Sequence, residues 1–287
     1  MRSERPQGAV RPRVLVTGAT GLIGPYLVEA ASAYGAVTGL SRHSRPACDL
    51  TDAAAVRQAI GALAPDLVVH AAALTDVDAC ERAPAVADAV NHMATANVAA
   101  ALPKGAGMIL LSTDQVYPDR PGPHREDGAA PVNAYGRSKL AGEAAALADG
   151  ALVLRTNGFG PSRTLGRQSI SDFVILNLAA HRPIQLFRDI SFSPLHFATL
   201  ATLAVQLWRA GATGVVNLGC RDGTSKRDFA IAVAARFGLS TAMATDADGA
   251  ILPGRAPRPR DMRMDTARAE ALLGYPMPTL TEEIAKL

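Results

Sequence analysis

Short apolar runs rich in valine, leucine and isoleucine alternate with alanine-rich stretches of helical periodicity over the first half of the chain. A short run that is apolar at nearly every position is typical of a strand buried on both faces of a parallel sheet. The predicted strands cover residues 13–17, 36–40, 67–69, 108–112 and 151–155. Helices are predicted between them near residues 22–34, 53–63, 84–101 and 134–148. Repeated strand–helix units of this length predict an α/β fold with a doubly wound parallel sheet.

The second half of the chain is less regular. Its helical patterns lie near residues 170–181, 196–210, 225–237 and 266–273, with one strand pattern at 214–218. Loops rich in proline, glycine and arginine occupy residues 120–131 and 253–263. We expect this half to form a smaller lobe, with some of its segments returning to the main sheet. Residues 1–12 are basic and lack an apolar pattern, so we expect a flexible leader there.

The composition is that of an ordinary globular protein, with 287 residues, of which 48% are hydrophobic and 19% are charged. A net charge of +3 argues against a disordered chain and against a nucleic-acid binder driven by charge. The three cysteines stand far apart without a metal-ligand spacing, so we expect neither a disulfide framework nor a metal site. No segment reaches the ~20 apolar residues of a membrane span. We therefore expect a cytoplasmic protein without a membrane or nucleic-acid partner.

A glycine-rich turn follows the first predicted strand and leads into a helix. It reads Gly18-Ala19-Thr20-Gly21-Leu22-Ile23-Gly24. In this context glycines permit a tight turn, let a pyrophosphate approach the backbone, and let helix and strand pack closely. The helix N-terminus attracts the phosphates, and we expect Thr20, Leu22 and Ile23 to contact the cofactor as well. The turn predicts a Rossmann-type dinucleotide-binding domain over residues 13–160 and a C-terminal substrate-binding lobe mainly over 161–287. An ordinary strand–helix turn is the alternative.

The end of the second predicted strand bears on the choice of cofactor. Ser41 and Arg42 stand where many dinucleotide folds place an acid that binds the ribose 2′-hydroxyl. Because no acid is there, Arg42, helped by Arg45, would instead receive a 2′-phosphate. We therefore expect NADPH, with NADH as the alternative. A solvated arginine in an arginine-rich chain is the simpler interpretation of Arg42.

Tyr135 and Lys139 are four residues apart in a predicted helix and therefore lie on one face. A tyrosine has an ordinary pKa near 10, and a neighbouring ammonium would favour proton transfer by stabilising its phenolate. Thr113 follows the fourth predicted strand, at the edge where parallel sheets bind ligands, and its hydroxyl would orient a substrate carbonyl. These three residues are the predicted catalytic set. A surface Tyr/Lys pair and ordinary turn chemistry are the simpler interpretations.

The segments GATGLIG, CDLTD, VVHAAALTDVDACE, STDQVY, YGRSKLAGE, LRT and RPRDMRM occur in the order seen in extended short-chain dehydrogenase/reductases. They span nearly the whole chain and most resemble the dTDP-4-dehydrorhamnose reductase-like group. The resemblance implies the same catalytic set and further cofactor contacts. These are Asp49 and Leu50 at the adenine, Ala71, Ala72 and Ala73 after the third strand, and Leu111 on the nicotinamide side.

The chain departs from this family where the substrate binds. The family's Trp-Val-Tyr stretch is replaced by Asn157-Gly158-Phe159, so an aromatic wall is missing and Gly158 would face the substrate. The family's Asn-Phe in the next loop is absent from residues 165–169. Asp114 would contact a sugar hydroxyl. Gln115 stands where related 4,6-dehydratases carry a glutamate base, and an amide cannot accept that proton, which argues against dehydration.

Two arginines near the C-terminus resemble the family's substrate loop. Arg258 and Arg263 lie in the motif RPRDMR, similar to the RPxxxR loop that holds a nucleotide-sugar diphosphate. Guanidinium groups suit bidentate contacts with phosphate. A solvated connector is the alternative. His70 and His196 are expected to be packed histidines with satisfied hydrogen bonds, because neither has a second ligand at helical spacing.

Taken with the resemblance, these features predict an NADPH-dependent reductase of a 4-keto nucleotide-activated deoxysugar. Hydride would add to C4, Tyr135 would donate the proton, and Lys139 would hold the cofactor ribose and lower the Tyr135 pKa. Two alternatives stay open. One is an NAD-dependent nucleotide-sugar epimerase, and the other is a non-catalytic NADP-binding regulatory subunit like the methionine adenosyltransferase β subunit. The apolar helix near residues 196–210 is expected to be core or the face of a homodimer.

Overall fold

A six-stranded parallel sheet forms the centre of the protein in the computed structural model, which describes residues 11–42, 44, 47–249 and 254–287. In chain order the strands are β1 (Arg13–Thr17), β2 (Ala36–Leu40), β3 (Leu67–His70), β4 (Gly107–Leu111), β5 (Leu152–Thr156), β6 (Gly158–Phe159), β7 (Ile184–Phe187), β8 (Ser191–Phe192), β9 (Leu195–His196), β10 (Gly214–Leu218), β11 (Thr224–Ser225), β12 (Ala244–Ala247) and β13 (Asp261–Met262). The central order is β10-β5-β4-β3-β1-β2, with every neighbouring pair parallel. The winding direction reverses between β1 and β3, which confirms the predicted Rossmann-type, doubly wound sheet.

Helices cover both faces of this sheet. They are α1 (Gly24–Ser32), α2 (Ala53–Leu63), α3 (Val77–Arg82), α4 (Pro84–Asp88), α5 (Ala94–Ala100), α6 (Ala134–Leu147), α7 (Ile170–Ala179), α8 (Phe197–Arg209), α9 (Lys226–Arg236), α10 (Ala267–Leu273) and α11 (Leu280–Ile284). Apart from the helix predicted over 84–101, the predicted elements agree with these bounds to within two residues. Within the described ranges, no helix is long and apolar enough to cross a membrane. Residues 1–10 of the predicted leader and Arg45 lie outside the described residues.

The helix predicted over residues 84–101 is present, but its regular α-helical hydrogen bonding is interrupted by a π turn. The chain forms α4, a π-helical turn at Ala89–Met93 and α5. The Asn91 side chain in that turn bonds to both backbone groups of Leu74, at 2.8 and 3.0 Å, and donates to Ser138 Oγ at 3.0 Å. A π turn holds one extra residue and so turns a side chain away from the regular helix face. Distant polar contacts therefore decide the helix path here, and periodicity could not show them.

Two short helices and the seven described strands outside the central sheet, β6 to β9 and β11 to β13, were not predicted. The Asp76 side chain caps α3 by accepting from Ala79 N at 2.9 Å. Thr279 and Glu282 form a capping box at the start of α11, a pattern that is readable from the sequence. The predicted loop over 253–263 contains β13, which pairs with β8 and belongs to the small sheet β11-β8-β13.

The central sheet is buried on both faces. Val14 and Val16 of β1 pack into one hydrophobic cluster, whereas Leu15 between them packs into the other with Val68 of β3. Successive side chains of a strand point to opposite faces, so a strand covered on both sides must be apolar at consecutive positions. This burial explains the continuous apolar runs that predicted the sheet.

Segments of the second half return to the first. β10 pairs with β5 at one edge of the central sheet, and α8 packs against α1. The rings of Tyr34 and Trp208 meet edge to face, with centroids 5.2 Å apart, and Tyr26 lies against Phe197. Trp208 is thus part of the core contact between α1 and α8. The domain division at residue 160 stays a prediction.

Asn217 of β10 ties the loop after β4 to the C-terminal segment. Its fully buried side chain donates to the carbonyl oxygens of His124, at 2.9 Å, and Asp265, at 3.1 Å. The Tyr117 hydroxyl donates to Asn217 Oδ1. One amide thus satisfies three buried polar groups from two other parts of the chain.

We expect Asn217→Leu to lower the free energy of unfolding by about 3 kcal/mol or more, because each buried group left without a partner costs roughly 1–3 kcal/mol. Urea unfolding followed by circular dichroism measures the change. Asn177→Leu on α7, where the side chain is partly exposed, is the control and should unfold close to the parent. A loss for Asn217→Leu below about 1 kcal/mol would contradict the role assigned to this amide.

Candidate functional site

A cavity of about 360 Å³ opens at the carboxyl edge of the central sheet, where the winding direction reverses. Twelve of the predicted site residues line it: Gly18, Gly21, Leu22, Ile23, Ala71, Ala73, Leu111, Thr113, Asp114, Tyr135, Lys139 and Gly158. Crevices at this point of an open α/β sheet are the usual ligand sites. A larger, more open cavity of about 790 Å³ lies between α8 and residues 275–286, and no predicted site residue lines it. The cavity at the sheet edge is therefore the candidate site.

The glycine turn lines the cavity and leads into α1, while Gly18 N and Gly21 N donate to the carbonyl oxygens of Leu40, at 3.1 Å, and Gly18, at 2.8 Å. Gly18 has a φ of +70°, and a Cβ there would lie 2.7 Å from Ala72 N. A Cβ at Gly24 would overlap the carbonyl oxygen of Gly18. Ile23 at the N-cap of α1 makes no side-chain cap bond, and the first turn contains no acid. Uncapped amides at a helix N-terminus attract anions, so the turn fits a pyrophosphate group.

His70 joins the two strands that flank the point of reversal. It is fully buried, with Nδ1 2.7 Å from Thr17 Oγ1 and Nε2 3.1 Å from Thr95 Oγ1. Burial lowers the pKa of His70 to about 3, so the ring is neutral at ordinary pH. The expectation of a packed, satisfied histidine agrees with these contacts.

His196 meets that expectation only in part. Its Nδ1 accepts from Ala198 N at 3.2 Å at the start of α8. Its Nε2 is buried without a hydrogen-bond partner among the described residues. The ring is packed against Tyr26 and Phe159, but its hydrogen bonding is incomplete.

The start of α6 places Tyr135 beside the end of β4. The Asn133 side chain caps α6 by accepting from Gly136 N at 2.8 Å and donates to Gln115 Oε1 at 3.0 Å. A Cβ at Gly136 would overlap the Gln115 carbonyl oxygen, so glycine permits this close approach. Thr113 Oγ1 accepts from Gln115 N at 3.1 Å. The same short segment after β4 therefore fixes both Thr113 and the N-terminus of α6.

Burial controls the proton chemistry of Tyr135 and Lys139. It raises the pKa of Tyr135 above its ordinary value, and the Thr113 hydroxyl offsets this rise in part. It lowers the pKa of Lys139 to about 8, against the opposing charge of Glu143. Lys139 Nζ donates to the Leu111 carbonyl oxygen at 2.7 Å. Burial, together with the charge of Asp114, outweighs the hydrogen bond with Thr113, so the Tyr135 pKa is raised and Tyr135 keeps its proton at neutral pH; the expected lowering of this pKa by Lys139 stays a prediction.

A polar pair occupies the place of the missing aromatic wall. Asp114 is 1% exposed, and its Oδ2 accepts from Asn157 Nδ2 at 2.8 Å. Burial raises the pKa of Asp114 to about 6, while hydrogen bonding from Asn157 and the charge of Lys226 oppose the rise. Gln115 donates to Met262 Sδ at 2.8 Å and accepts from Asn133, so its amide is held by protein groups.

A buried ion pair lies behind the cavity. Arg155 of β5 and Glu143 of α6 are 3% and 1% exposed, and Arg155 Nη2 lies 2.7 Å from Glu143 Oε2. The Ser112 hydroxyl donates to Glu143 Oε1. Arg155 also donates to the Glu126 carbonyl oxygen at 2.6 Å. These bonds connect α6 to the ends of β4 and β5.

The remaining predicted site residues do not line the cavity. They are Thr20, Gly24, Ser41, Arg42, Asp49, Leu50, Ala72, Arg258 and Arg263. Asp49 and Arg42 are close enough at the end of β2 for the Arg42 charge to help Thr51 lower the Asp49 pKa. Arg258 pairs with Asp78 at 2.9 Å, and Arg263 pairs with Asp261 at 2.7 Å. Their predicted role toward a diphosphate stays a prediction.

Several lining residues were not predicted from the sequence. They are Thr75, Val77, Ser112, Thr156, Arg167, Phe197 and Leu200, whereas Gln115 and Asn157, which also line the cavity, were placed near the substrate by the family resemblance. Ser112 and Thr156 stand at the carboxyl ends of the apolar runs of β4 and β5. Because ligands bind at this edge of a parallel sheet, their position in the sequence could have predicted them. The Thr156 hydroxyl is buried without a partner within the described chain. Phe197 and Leu200 come from α8, and no sequence pattern connects that helix to the cavity.

Comparisons with known proteins match nearly the whole chain. Residues 12–287 match the family model described as the RmlD substrate binding domain. The chain is 32% identical over 287 residues to Agl14 of Haloferax volcanii, described as a probable low-salt glycan biosynthesis reductase, with 95% of this chain and 96% of the relative covered. It is 34% identical over 257 residues to the dTDP-4-dehydrorhamnose reductase of Mycobacterium tuberculosis, covering 86% and 82%.

Two further similarities extend this picture. The chain is 30% identical over 277 residues to methionine adenosyltransferase 2 subunit beta of Xenopus laevis, with 91% of this chain and 82% of the relative covered. The crystal structure of the dTDP-4-dehydrorhamnose reductase of Bacillus anthracis in complex with NADP matches with a TM-score of 0.86 at 23% identity, covering 98% of each chain. That structural match shows a shared fold.

The buried ion pair behind the cavity gives a stability test. We expect Glu143→Gln to lower the free energy of unfolding by about 3–5 kcal/mol, because it leaves the Arg155 charge buried without its partner. Thermal and urea unfolding measure the loss. Asp248→Asn removes a carboxylate from the exposed pair with Arg188 and should leave unfolding unchanged within error. Equal effects of the two substitutions would show that the buried pair is not a constraint on the fold.

Proposed function

The chain belongs to the RmlD substrate binding domain family, and on this premise we propose that it is an NADPH-dependent reductase of a 4-keto nucleotide-activated deoxysugar. Relatives described as reductases match most of its length. One observation carries the proposal: Thr113, Tyr135 and Lys139 line the same cavity as the glycine turn. A proton donor and a dinucleotide site in one crevice are what carbonyl reduction requires.

The residues at the carboxyl edge fit the cofactor. NADPH, when bound, would supply the hydride that reduces the substrate carbonyl. The absence of side chains at Gly18 and Gly21 would leave room for its diphosphate, and the uncapped start of α1 would hold it. Ala71, Ala73 and Leu111 would line its path across the sheet edge. Arg42 at the end of β2 would bind the 2′-phosphate, with Ser41, Asp49 and Leu50 near the adenosine.

Tyr135 is the proposed proton donor. Its buried hydroxyl has a raised pKa, so it is protonated at neutral pH and can donate to an oxygen that gains negative charge. Thr113 would hold the same oxygen from the strand end. Lys139, with a pKa of about 8, carries its charge in most molecules at pH 7 and is oriented by the Leu111 carbonyl. We propose that it holds the cofactor ribose and keeps the site electropositive.

The substrate side of the cavity is polar. Asp114 and Asn157 present a carboxyl and an amide beside Gly158, where a side chain would overlap the Phe197 ring. Both groups can bond to hydroxyls of a sugar. The Gln115 amide is held by Met262 and Asn133 and cannot act as a base, so the site favours reduction over dehydration. A homodimer and a cytoplasmic location stay predictions.

A second candidate function follows from the similarity to methionine adenosyltransferase 2 subunit beta. In that case the chain would bind the dinucleotide and serve a larger enzyme as a regulatory subunit. Tyr135, Lys139 and Thr113 would then have no chemical task, although they lie together in the cavity. Co-purification with a partner enzyme, without turnover of a 4-keto nucleotide sugar, would favour this candidate.

We expect Tyr135→Phe to fold and to bind NADPH as the parent does, but to lose roughly 10²–10⁴ in kcat. Phenylalanine keeps the ring that packs in the cavity and lacks only the proton that is donated. Single-turnover oxidation of NADPH with dTDP-4-dehydrorhamnose, followed at the nicotinamide absorbance, measures the chemical step. A variant that turns over at the parent's rate would show that Tyr135 is not the donor.

We expect Arg42→Ala to weaken NADPH binding about tenfold or more while leaving NADH binding nearly unchanged, since a charge-assisted contact with phosphate contributes roughly 1.5–3 kcal/mol. Titration of each cofactor by calorimetry gives both dissociation constants. Arg57→Ala on α2 is a control that removes an exposed arginine. Equal losses for the two cofactors would show that Arg42 does not recognise the 2′-phosphate.

A further inference from the structure

The loop of residues 161–169 lies beside the glycine turn and is held in place by hydrogen bonds along its length. It connects β6 to α7. The Tyr26 hydroxyl of α1 donates to the Pro161 carbonyl oxygen at 2.7 Å, and Thr164 Oγ1 donates to the Gly21 carbonyl oxygen at 3.0 Å. At the far end, Asp172 Oδ2 accepts from Ser169 N at 2.9 Å. The path of the loop beside the glycine turn is therefore fixed by protein contacts.

The two arginines of this loop are used differently. Arg163 pairs with Glu29 of α1, and its guanidinium lies 4.0 Å from the centre of the Tyr26 ring. Arg167 lines the cavity together with Gly21, Leu22 and Ile23. Among the residues that the structure describes, none accepts a hydrogen bond from the Arg167 guanidinium or pairs with it. Arg163 is thus committed to α1, whereas Arg167 has a free charge in the cavity.

A turn of the backbone precedes Arg167. Leu165 at the tip of the loop is fully exposed, and the next residue, Gly166, has a φ of +73°. Arg167 N then donates to the Thr164 carbonyl oxygen at 3.2 Å, which closes a turn. A left-handed residue at this point reverses the chain and costs glycine little. The turn places Arg167, which is itself exposed, at the wall of the cavity.

Arg167 is the lining cation that is free to bind an anion. Of the described lining residues, the cations are Lys139 and Arg167, and Lys139 is bonded to the Leu111 carbonyl. The lining acid, Asp114, is bonded to Asn157. A diphosphate at the glycine turn would find backbone amides and the helix dipole there, with Arg167 as the neighbouring cation. A planar guanidinium binds two phosphate oxygens at once.

We propose that Arg167 is a diphosphate-binding residue of this site, and that the diphosphate it holds is that of the dinucleotide cofactor. The inference rests on the proposed function and adds to it a contact from the second half of the chain. The nucleotide sugar also carries a diphosphate, which is the same chemistry from another source. Arg167 is assigned to the cofactor because it lies three residues after Thr164, whose hydroxyl donates to the Gly21 carbonyl oxygen at 3.0 Å.

The test compares Arg167→Gln with Arg163→Gln, which removes a guanidinium from the same loop outside the cavity. Three probes are titrated by calorimetry into each protein: NADPH, 2′-phosphoadenosine, which lacks the diphosphate, and dTDP in the presence of saturating NADP⁺. We expect Arg167→Gln to weaken NADPH binding about tenfold, equivalent to about 1.4 kcal/mol. Its affinity for 2′-phosphoadenosine and dTDP should stay within about twofold of the parent, and Arg163→Gln should bind all three probes as the parent does.

Each of the other possible outcomes would overturn a particular part of the proposal. Selective loss of dTDP binding would assign Arg167 to the substrate diphosphate and overturn the cofactor assignment. Equal losses of NADPH binding in both variants would show that the loss comes from a changed loop structure and not from the charge of Arg167. Parent-like NADPH binding by Arg167→Gln would remove the inference and leave the proposed function standing. A parent that binds neither NADPH nor NADH would overturn both together.

Discussion

The buried ion pair between Arg155 and Glu143 is the contact on which the geometry of the site depends. Glu143 lies on α6 at spacings of four and eight residues from Lys139 and Tyr135, so all three share one face of the helix. Arg155 holds that face against the end of β5, and Ser112 holds it against the end of β4. Such a pair is a weak source of net stability, because both charges lose their hydration. What it provides is a single register of α6 on the sheet.

Burial of the same helix face determines the proton states. The Tyr135 hydroxyl and the Asp114 carboxyl lose hydration and their pKa values rise, whereas the pKa of the Lys139 ammonium falls. Each shift favours the neutral form of the group, as burial should. A protonated tyrosine beside an ammonium that is still charged at neutral pH is suited to giving a proton to an oxygen. In the proposed reaction Tyr135 would therefore donate a proton that it already holds, and no phenolate would be required in advance.

The substrate side of the site is built by the second half of the chain together with two polar residues from the sheet edge. Asn157 and Asp114 form a hydrogen bond at the place where the family that this chain resembles has an aromatic side chain. Arg258 and Arg263 are held by Asp78 and Asp261. Binding of a diphosphate by either arginine would therefore compete with an existing ion pair. In the proposed function, recognition of the sugar would therefore depend on polar groups that are already organised by their neighbours.

The sequence by itself determined the central sheet, the glycine turn, and the identity and spacing of Thr113, Tyr135 and Lys139. Each of these follows from local rules: apolar runs for strands buried on both faces, glycine at a positive φ, and four-residue spacing along a helix. Only the tertiary structure decided the π turn around Asn91, the raised Tyr135 pKa and the free guanidinium of Arg167. These properties depend on burial and on partners far away in the chain, as with Asp78 and Arg258, which are 180 residues apart. Local patterns cannot encode such contacts, because the energy of a charge or an amide depends on what surrounds it once the chain has folded.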